Sequence, residues 1–94
     1  MTEKPKAKAT FTVLNDKGLH TRPSTEIVKC AMHFNSHVML SYKDLRVNAK
    51  SLLGILMLAA GRGAKIKIEA EGSDAEGAVN ALVQLAADKF YIKY

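Results

Sequence analysis

The 94-residue sequence has no tryptophan, two prolines and a single cysteine. Because Cys30 stands alone, a disulfide within the chain is excluded, and this cysteine usage suits a reducing compartment. No apolar run approaches the ~20 residues needed to span a bilayer, and the lysine-rich N-terminus lacks the apolar segment of a secretory signal. These absences predict a cytoplasmic protein.

The charge distribution argues against a nucleic-acid-binding protein. The formal net charge is +5, but about +2 of it belongs to residues 1–8, a polar segment predicted to form a flexible N-terminal tail. Residues 9–94 are predicted to form a single domain with a net charge of only about +3. A nucleic-acid-binding domain usually carries a denser basic patch and surface aromatic residues on its strands.

Period-two alternation of apolar and polar residues predicts four strands. The segments are residues 9–14, 38–42, 45–47 and 64–71. The second and third are separated by Lys43-Asp44 alone, which predicts a hairpin with a tight turn.

Helical spacing predicts three helices. The first begins at Thr21, which is the expected cap, and ends near residues 33–35. The second is the short apolar segment 52–58, capped by Ser51 and followed by a turn at residues 61–63. The third begins at a capping box in residues 73–76 and runs to about Phe90. Its predicted buried stripe is Ala75, Ala78, Val79, Leu82, Val83, Ala86 and Phe90.

The predicted order of elements is βαββαβα. Strands with one polar face and helices with one apolar stripe are accommodated most simply by an antiparallel sheet with all helices on one side. The predicted fold class is therefore α+β.

The stretch Gly18-Leu19-His20-Thr21-Arg22-Pro23 joins the first strand to the first helix. A helix N-terminus offers backbone N–H groups and partial positive charge to an anion. The same dipole disfavours an imidazolium, so a neutral His20 keeps a lone pair for nucleophilic attack. Arg22 could hold phosphate oxygens through its planar guanidinium, and Pro23 fits the first turn. This layout is typical of a site that handles a phosphate.

The stretch GLHTRP, followed by EIVKCA and later by AKSLLGIL, resembles the HPr family of the bacterial sugar phosphotransferase system. The resemblance implies an open-faced β-sandwich, a four-stranded antiparallel sheet with three helices on one face. It also implies that Nδ1 of His20 accepts a phosphoryl group from enzyme I, with Arg22 supporting the phosphate. The acceptor of the phosphoryl group would be the A domain of a sugar permease.

The same resemblance matches Ser51 to a regulatory serine that an HPr kinase/phosphorylase modifies with ATP in some bacteria. We call residues 18–23 the reactive loop. Departures from the family pattern are Lys17 directly before this loop, His33 where the first helix often ends in glycine, and the aromatic ending at residues 90–94. None of them removes His20 or Arg22.

The second helix holds more apolar residues than one buried stripe can take, which predicts a docking surface for partner proteins. Leu52, Leu53 and Leu56 are the predicted exposed apolar residues, flanked by Arg22 and Lys29. Thr21 completes the predicted partner-binding set. A monomer is expected, because a carrier must expose its site.

The main alternative to a phosphocarrier is a regulatory binding module that is controlled by phosphorylation and has no role in sugar transport. His33 and His37 are too few for a metal site without further ligands at suitable spacing, and both are interpreted as surface residues. No cofactor, metal, nucleic acid or direct membrane insertion is predicted.

Overall fold

The computed structural model describes residues 4–92 and contains the predicted βαββαβα order. The elements are β1 (Lys6–Thr12), α1 (Thr21–Ala31), β2 (His37–Tyr42), β3 (Leu45–Asn48), α2 (Leu52–Met57), β4 (Lys65–Glu71) and α3 (Ala75–Ala87). A 3₁₀ turn at Lys89–Tyr91 follows α3.

The four strands form one antiparallel sheet in the order β1-β4-β2-β3. On the central strand β4, Ile68 lies between Ala9 of β1 and Leu40 of β2, so one face of the sheet is apolar. Helix α3 packs on β1 and β4, and α1 lies against α2 and α3. The opposite face carries exposed polar residues such as Lys65 and Lys67. The predicted open-faced α+β sandwich is confirmed.

The core lies between the apolar face of the sheet and the helices. Its largest fully buried aliphatic side chains are Ile27, Leu40, Ile55, Ile66, Ile68, Leu82, Val13 and Val38. Truncating such a side chain to alanine typically costs about 2–5 kcal/mol. This layer therefore holds in place the loops that carry the site.

Strand β1 begins at Lys6, three residues before the predicted start at Ala9. Lys6 lies opposite Glu71 and Lys8 opposite Glu69, and opposite charges across an antiparallel pair are favourable. Residues 6–8 therefore belong to the sheet, and residues 1–3 of the predicted tail lie outside the described residues.

Two predictions about α1 were wrong at its ends. The N-cap is His20, and Thr21 is the first helical residue. The helix ends at Ala31, before the predicted 33–35, because the N–H groups of His33 and Phe34 bond to the carbonyls three residues earlier. His33 keeps a negative φ, so this helix end has no need of the glycine found in the family.

The predicted capping box at residues 73–76 does not form. Asp74 is the N-cap of α3, but its side chain makes no capping hydrogen bond. Its carboxylate instead accepts hydrogen bonds from the Ser36 hydroxyl and from the N–H groups of Asn35 and Ser36. The Ser36 hydroxyl, followed by the Asn35 N–H, holds the pKa of Asp74 below its ordinary value.

Helix α3 ends at Ala87, earlier than the predicted Phe90. Its buried stripe includes Leu85, which was missed, whereas the predicted Val83 is only partly buried. Phe90 is fully buried as predicted, but it reaches the core through a turn in which its φ is 57°. Its ring packs edge-on against Phe11, with 5.9 Å between ring centroids.

Candidate functional site

The candidate site begins with a tight turn between β1 and α1. The Gly18 N–H donates to the Asn15 carbonyl at 2.9 Å. Gly18 has a φ of +68°, and a Cβ at this position would collide with the carbonyl oxygen of Ala60. Glycine is therefore required both for the backbone conformation and for the close approach of the neighbouring loop.

Residues 60–64, which follow α2, support this turn through backbone hydrogen bonds and an ion pair. The Leu19 N–H donates to the Ala60 carbonyl at 2.9 Å, and Val13 exchanges hydrogen bonds with Gly63 and Ala64. Arg62 forms an exposed ion pair with Asp16, with 3.2 Å between Nη1 and Oδ1. The turn predicted at residues 61–63 is present, and its role as a support for the reactive loop was not predicted.

His20 is the half-buried N-cap of α1, with extended backbone angles of φ −76° and ψ −171°. Its carbonyl accepts the Ser24 N–H at 3.1 Å, and the buried Ser24 hydroxyl donates to the Leu19 carbonyl at 3.0 Å. The His20 side chain makes no capping hydrogen bond, and its Nε2 atom is buried. The backbone around His20 is thus fixed without using the imidazole as a helix cap.

Thr21 and Arg22 are exposed in the first turn of α1, and Pro23 is buried beneath them. Both exposed residues line a cavity of about 230 Å³. Its other lining residues are Thr25, Glu26, Phe90, Tyr91 and Ile92. A guanidinium and a helix N-terminus therefore lie within two residues of His20, the combination that binds phosphate.

Ser51 caps α2 as predicted: its hydroxyl oxygen accepts the Gly54 N–H at 3.0 Å. Leu52 is 37% exposed and Leu53 is 70% exposed, whereas the predicted Leu56 is half-buried. Met57, 61% exposed, was not assigned to the patch. We call Leu52, Leu53 and Met57 the α2 patch.

Two further cationic residues were named from the sequence, Lys29 beside the predicted docking surface and Lys17 as a departure from the family pattern. Lys29 is exposed on α1 and pairs with Glu26, with 3.4 Å between Nζ and Oε2. Lys17 is exposed in the turn before Gly18. Helix α1, which carries Lys29, packs against α2.

Sequence reasoning missed the role of Asn15. Its side chain is fully buried, and Nδ2 donates to the Lys89 carbonyl at 3.0 Å, across 74 positions of sequence. Asparagine is a common turn residue, which gives no sign of a long-range contact. Burial raises the pKa of the Cys30 thiol, so this residue is a poor nucleophile near neutral pH.

Within residues 4–92, no helix has the length and apolar character needed to cross a membrane. The same part of the chain contains no group of three or more His, Cys, Asp or Glu side chains arranged to hold a metal ion.

Comparisons with known proteins agree with this geometry. Residues 7–88 match the family model described as "PTS HPr component phosphorylation site". The phosphocarrier protein HPr of Treponema pallidum is 42% identical over 81 residues, which is 86% of this chain and 92% of that protein. Phosphocarrier protein HPr of Cupriavidus necator is 40% identical over 79 residues, which is 84% of this chain and 89% of that protein.

A solved structure shows the same fold. The crystal structure of HPr-C-His from Thermoanaerobacter tengcongensis matches with a TM-score of 0.88 and 38% identity, covering 94% of this chain and 99% of that one. The family match spans nearly all of β1, the reactive loop, α2 and the whole of α3. The chain therefore belongs to the HPr family, the phosphocarrier proteins of the bacterial phosphotransferase system.

Proposed function

We propose that His20 is the residue on which this phosphocarrier holds its phosphoryl group. It would receive the group from enzyme I and pass it to the A domain of a sugar permease or a related acceptor. The observation that carries the proposal is the position of His20: it is the N-cap of α1, yet its imidazole does not cap the helix. The ring therefore lies at the positive end of the helix dipole, where an anion is favoured.

The chemistry requires one nitrogen of a neutral imidazole. Nε2 is buried, which supports Nδ1 as the atom that attacks phosphorus. A bond then forms between Nδ1 and phosphorus while the bond from phosphorus to the donor atom breaks, and the electron pair of that bond leaves with the donor. Transfer onward reverses these roles, because a phosphorylated imidazole has a good neutral leaving group.

Charge stabilisation and positioning supply most of the catalysis in phosphoryl transfer. The guanidinium of Arg22 would bind the phosphoryl oxygens through its paired N–H groups. The first turn of α1, beginning at Thr21, adds partial positive charge, and Gly18 and Ser24 hold the loop in place.

Partner proteins would dock over the site on the helical side of the sandwich. The exposed α2 patch supplies an apolar area of the kind found at interface centres, and Lys29 supplies a cation. The predicted Leu56 would lie at the buried margin of this area. Docking of this kind is best served by a monomer in the cytoplasm, which we propose as the working state.

Ser51 is proposed as a second, regulatory phosphorylation site, modified by an HPr kinase/phosphorylase. Its hydroxyl is half-buried at the start of α2, directly before Leu52 of the α2 patch. A phosphate there would be tolerated at a helix start but would place about two negative charges beside the apolar docking area. Regulation would then act on partner binding and leave the fold intact.

The test is the intact mass of the protein after incubation with phosphoenolpyruvate and enzyme I, measured before and after mild acid. We expect one added phosphate that acid removes and that is absent in His20→Ala. His33→Ala and His37→Ala are matched controls, because both change exposed histidines away from the reactive loop, and both should keep the phosphate. An acid-labile phosphate that persists in His20→Ala would contradict the proposal.

A further inference from the structure

A turn with an unusual backbone conformation lies near the end of the described residues. Lys89, Phe90 and Tyr91 have φ values of 54°, 57° and 64°, three consecutive non-glycine residues in the left-handed region. We call residues 89–91 the C-terminal turn. Side chains with a Cβ disfavour this conformation, and it persists only where the surrounding structure imposes it.

Contacts on both sides of Tyr91 impose the conformation. The Phe90 side chain is fully buried against Phe11, and Ile92 is buried as well. The Lys89 carbonyl accepts a hydrogen bond from the buried Asn15 side chain at 3.0 Å. Because Asn15 also closes the turn before Gly18, the C-terminal turn is tied directly to the reactive loop.

Tyr91 itself is excluded from this packing. Its side chain is 73% exposed, a larger fraction than for any other exposed large hydrophobic residue in the described chain. The turn therefore buries the two neighbours of Tyr91 and presents its aromatic ring to solvent. An amphipathic aromatic ring on a fixed backbone is a frequent contributor of binding energy at protein interfaces.

The position of Tyr91 places this ring beside the site. It lines the cavity of about 230 Å³ that also contains Thr21 and Arg22. It also lines a groove of about 430 Å³ between α1 and α3, with Lys29 and Leu85. Tyr91 thus lies between two hollows, one containing Arg22 and the other Lys29, and Glu26, the ion-pair partner of Lys29, lines both.

We propose that Tyr91 is a docking residue for the protein that donates the phosphoryl group to His20. The inference rests on the proposed function of His20. The fitting partner surface has a cleft for the tyrosine ring and carboxylates facing Arg22 and Lys29. Tyr91 acts on recognition of the donor and takes no part in the bond-making step.

The experiment measures initial rates of phosphoryl transfer from phosphorylated enzyme I to the full chain, at varied concentrations of the chain. Tyr91→Gly removes the ring and suits the backbone, because glycine adopts a φ of 64° without strain. We expect KM to rise about tenfold while kcat stays unchanged, the result of losing one interface hot spot. The matched control is Met32→Ala, which truncates another exposed side chain (64%) just after α1 ends.

Tyr91→Phe should restore most of the wild-type KM if the ring is the contact. The inference is overturned if KM of Tyr91→Gly stays within about twofold of wild type, or if Met32→Ala raises KM equally. A wild-type chain that accepts no phosphate at His20 would instead refute the proposed function. The two failures are therefore distinguishable within one set of assays.

Discussion

Helices α1 and α2 both begin at an N-cap residue with extended backbone angles, but only the N-cap side chain of α2 forms a capping hydrogen bond. His20 and Ser51 are both half-buried N-caps with extended φ and ψ. The Ser51 hydroxyl accepts the Gly54 N–H, whereas the imidazole of His20 makes no capping bond. A good cap is worth about 1 kcal/mol. The α1 start forgoes that stabilisation.

The support that α1 lacks at its cap comes from elsewhere in the fold. The Leu19 N–H donates a hydrogen bond to the Ala60 carbonyl. The Ser24 hydroxyl donates to the Leu19 carbonyl, and the Ser24 N–H donates to the His20 carbonyl. Asn15 reaches the C-terminal turn through its buried side chain. The reactive loop is therefore held by tertiary contacts, while the start of α2 is held by its own N-cap side chain.

Replacing His20, the N-cap residue of α1, should have the largest effect, because it changes both stability and phosphorylation. His20→Asn supplies a strong N-cap residue, so we expect the free energy of unfolding to rise by about 1 kcal/mol. The same substitution removes the nucleophile, so acid-labile phosphorylation should be lost completely. Urea denaturation and intact mass measure the two effects. A variant that is less stable than wild type would refute the idea that stability is forgone at this helix start.

Substitution at Ser51 tests the other half of the comparison. Ser51→Ala should lower the free energy of unfolding by about 1 kcal/mol, while His20 still accepts phosphate, because only the cap is lost. Ser51→Asp keeps a good cap but adds a negative charge beside the α2 patch. We expect its stability to match wild type and its KM for enzyme I to rise about fivefold. Equal KM values for both variants would contradict a docking role for this region.

Most of the parts of the fold that depend on interactions between neighbouring residues were predicted correctly from the sequence. The alternation of Ile66 and Ile68 with lysines predicted β4, and Ser51 before an apolar run predicted the start of α2. The motif around His20 is also a sequence-local arrangement, a histidine before a helix with Arg22 in its first turn, and the site that it indicates stays a prediction.

Tertiary contacts account for what the sequence did not predict. Asp74 looked like part of a capping box, but its carboxylate is used by Asn35 and Ser36, about 38 positions away. Asn15 is of a residue type common in turns, and its partner Lys89 is 74 positions away. Nothing in the residue types near either position signals such partners, so the pairing becomes visible only when the sheet brings the segments together.

A substitution at Asp74, the N-cap of α3, has the smallest expected effect on stability. Because the hydrogen bonds from Ser36 and Asn35 lower the pKa of Asp74, the carboxylate form stabilises the fold. That contribution is complete above the ordinary carboxyl pKa and is lost as pH falls below about 4. Asp74→Asn should therefore lower the melting temperature more at pH 7 than at pH 3. Asp44→Asn, in the exposed turn between β2 and β3, is the matched control. A loss of equal size at both pH values would show that the charge of Asp74 does not hold the 35–36 segment.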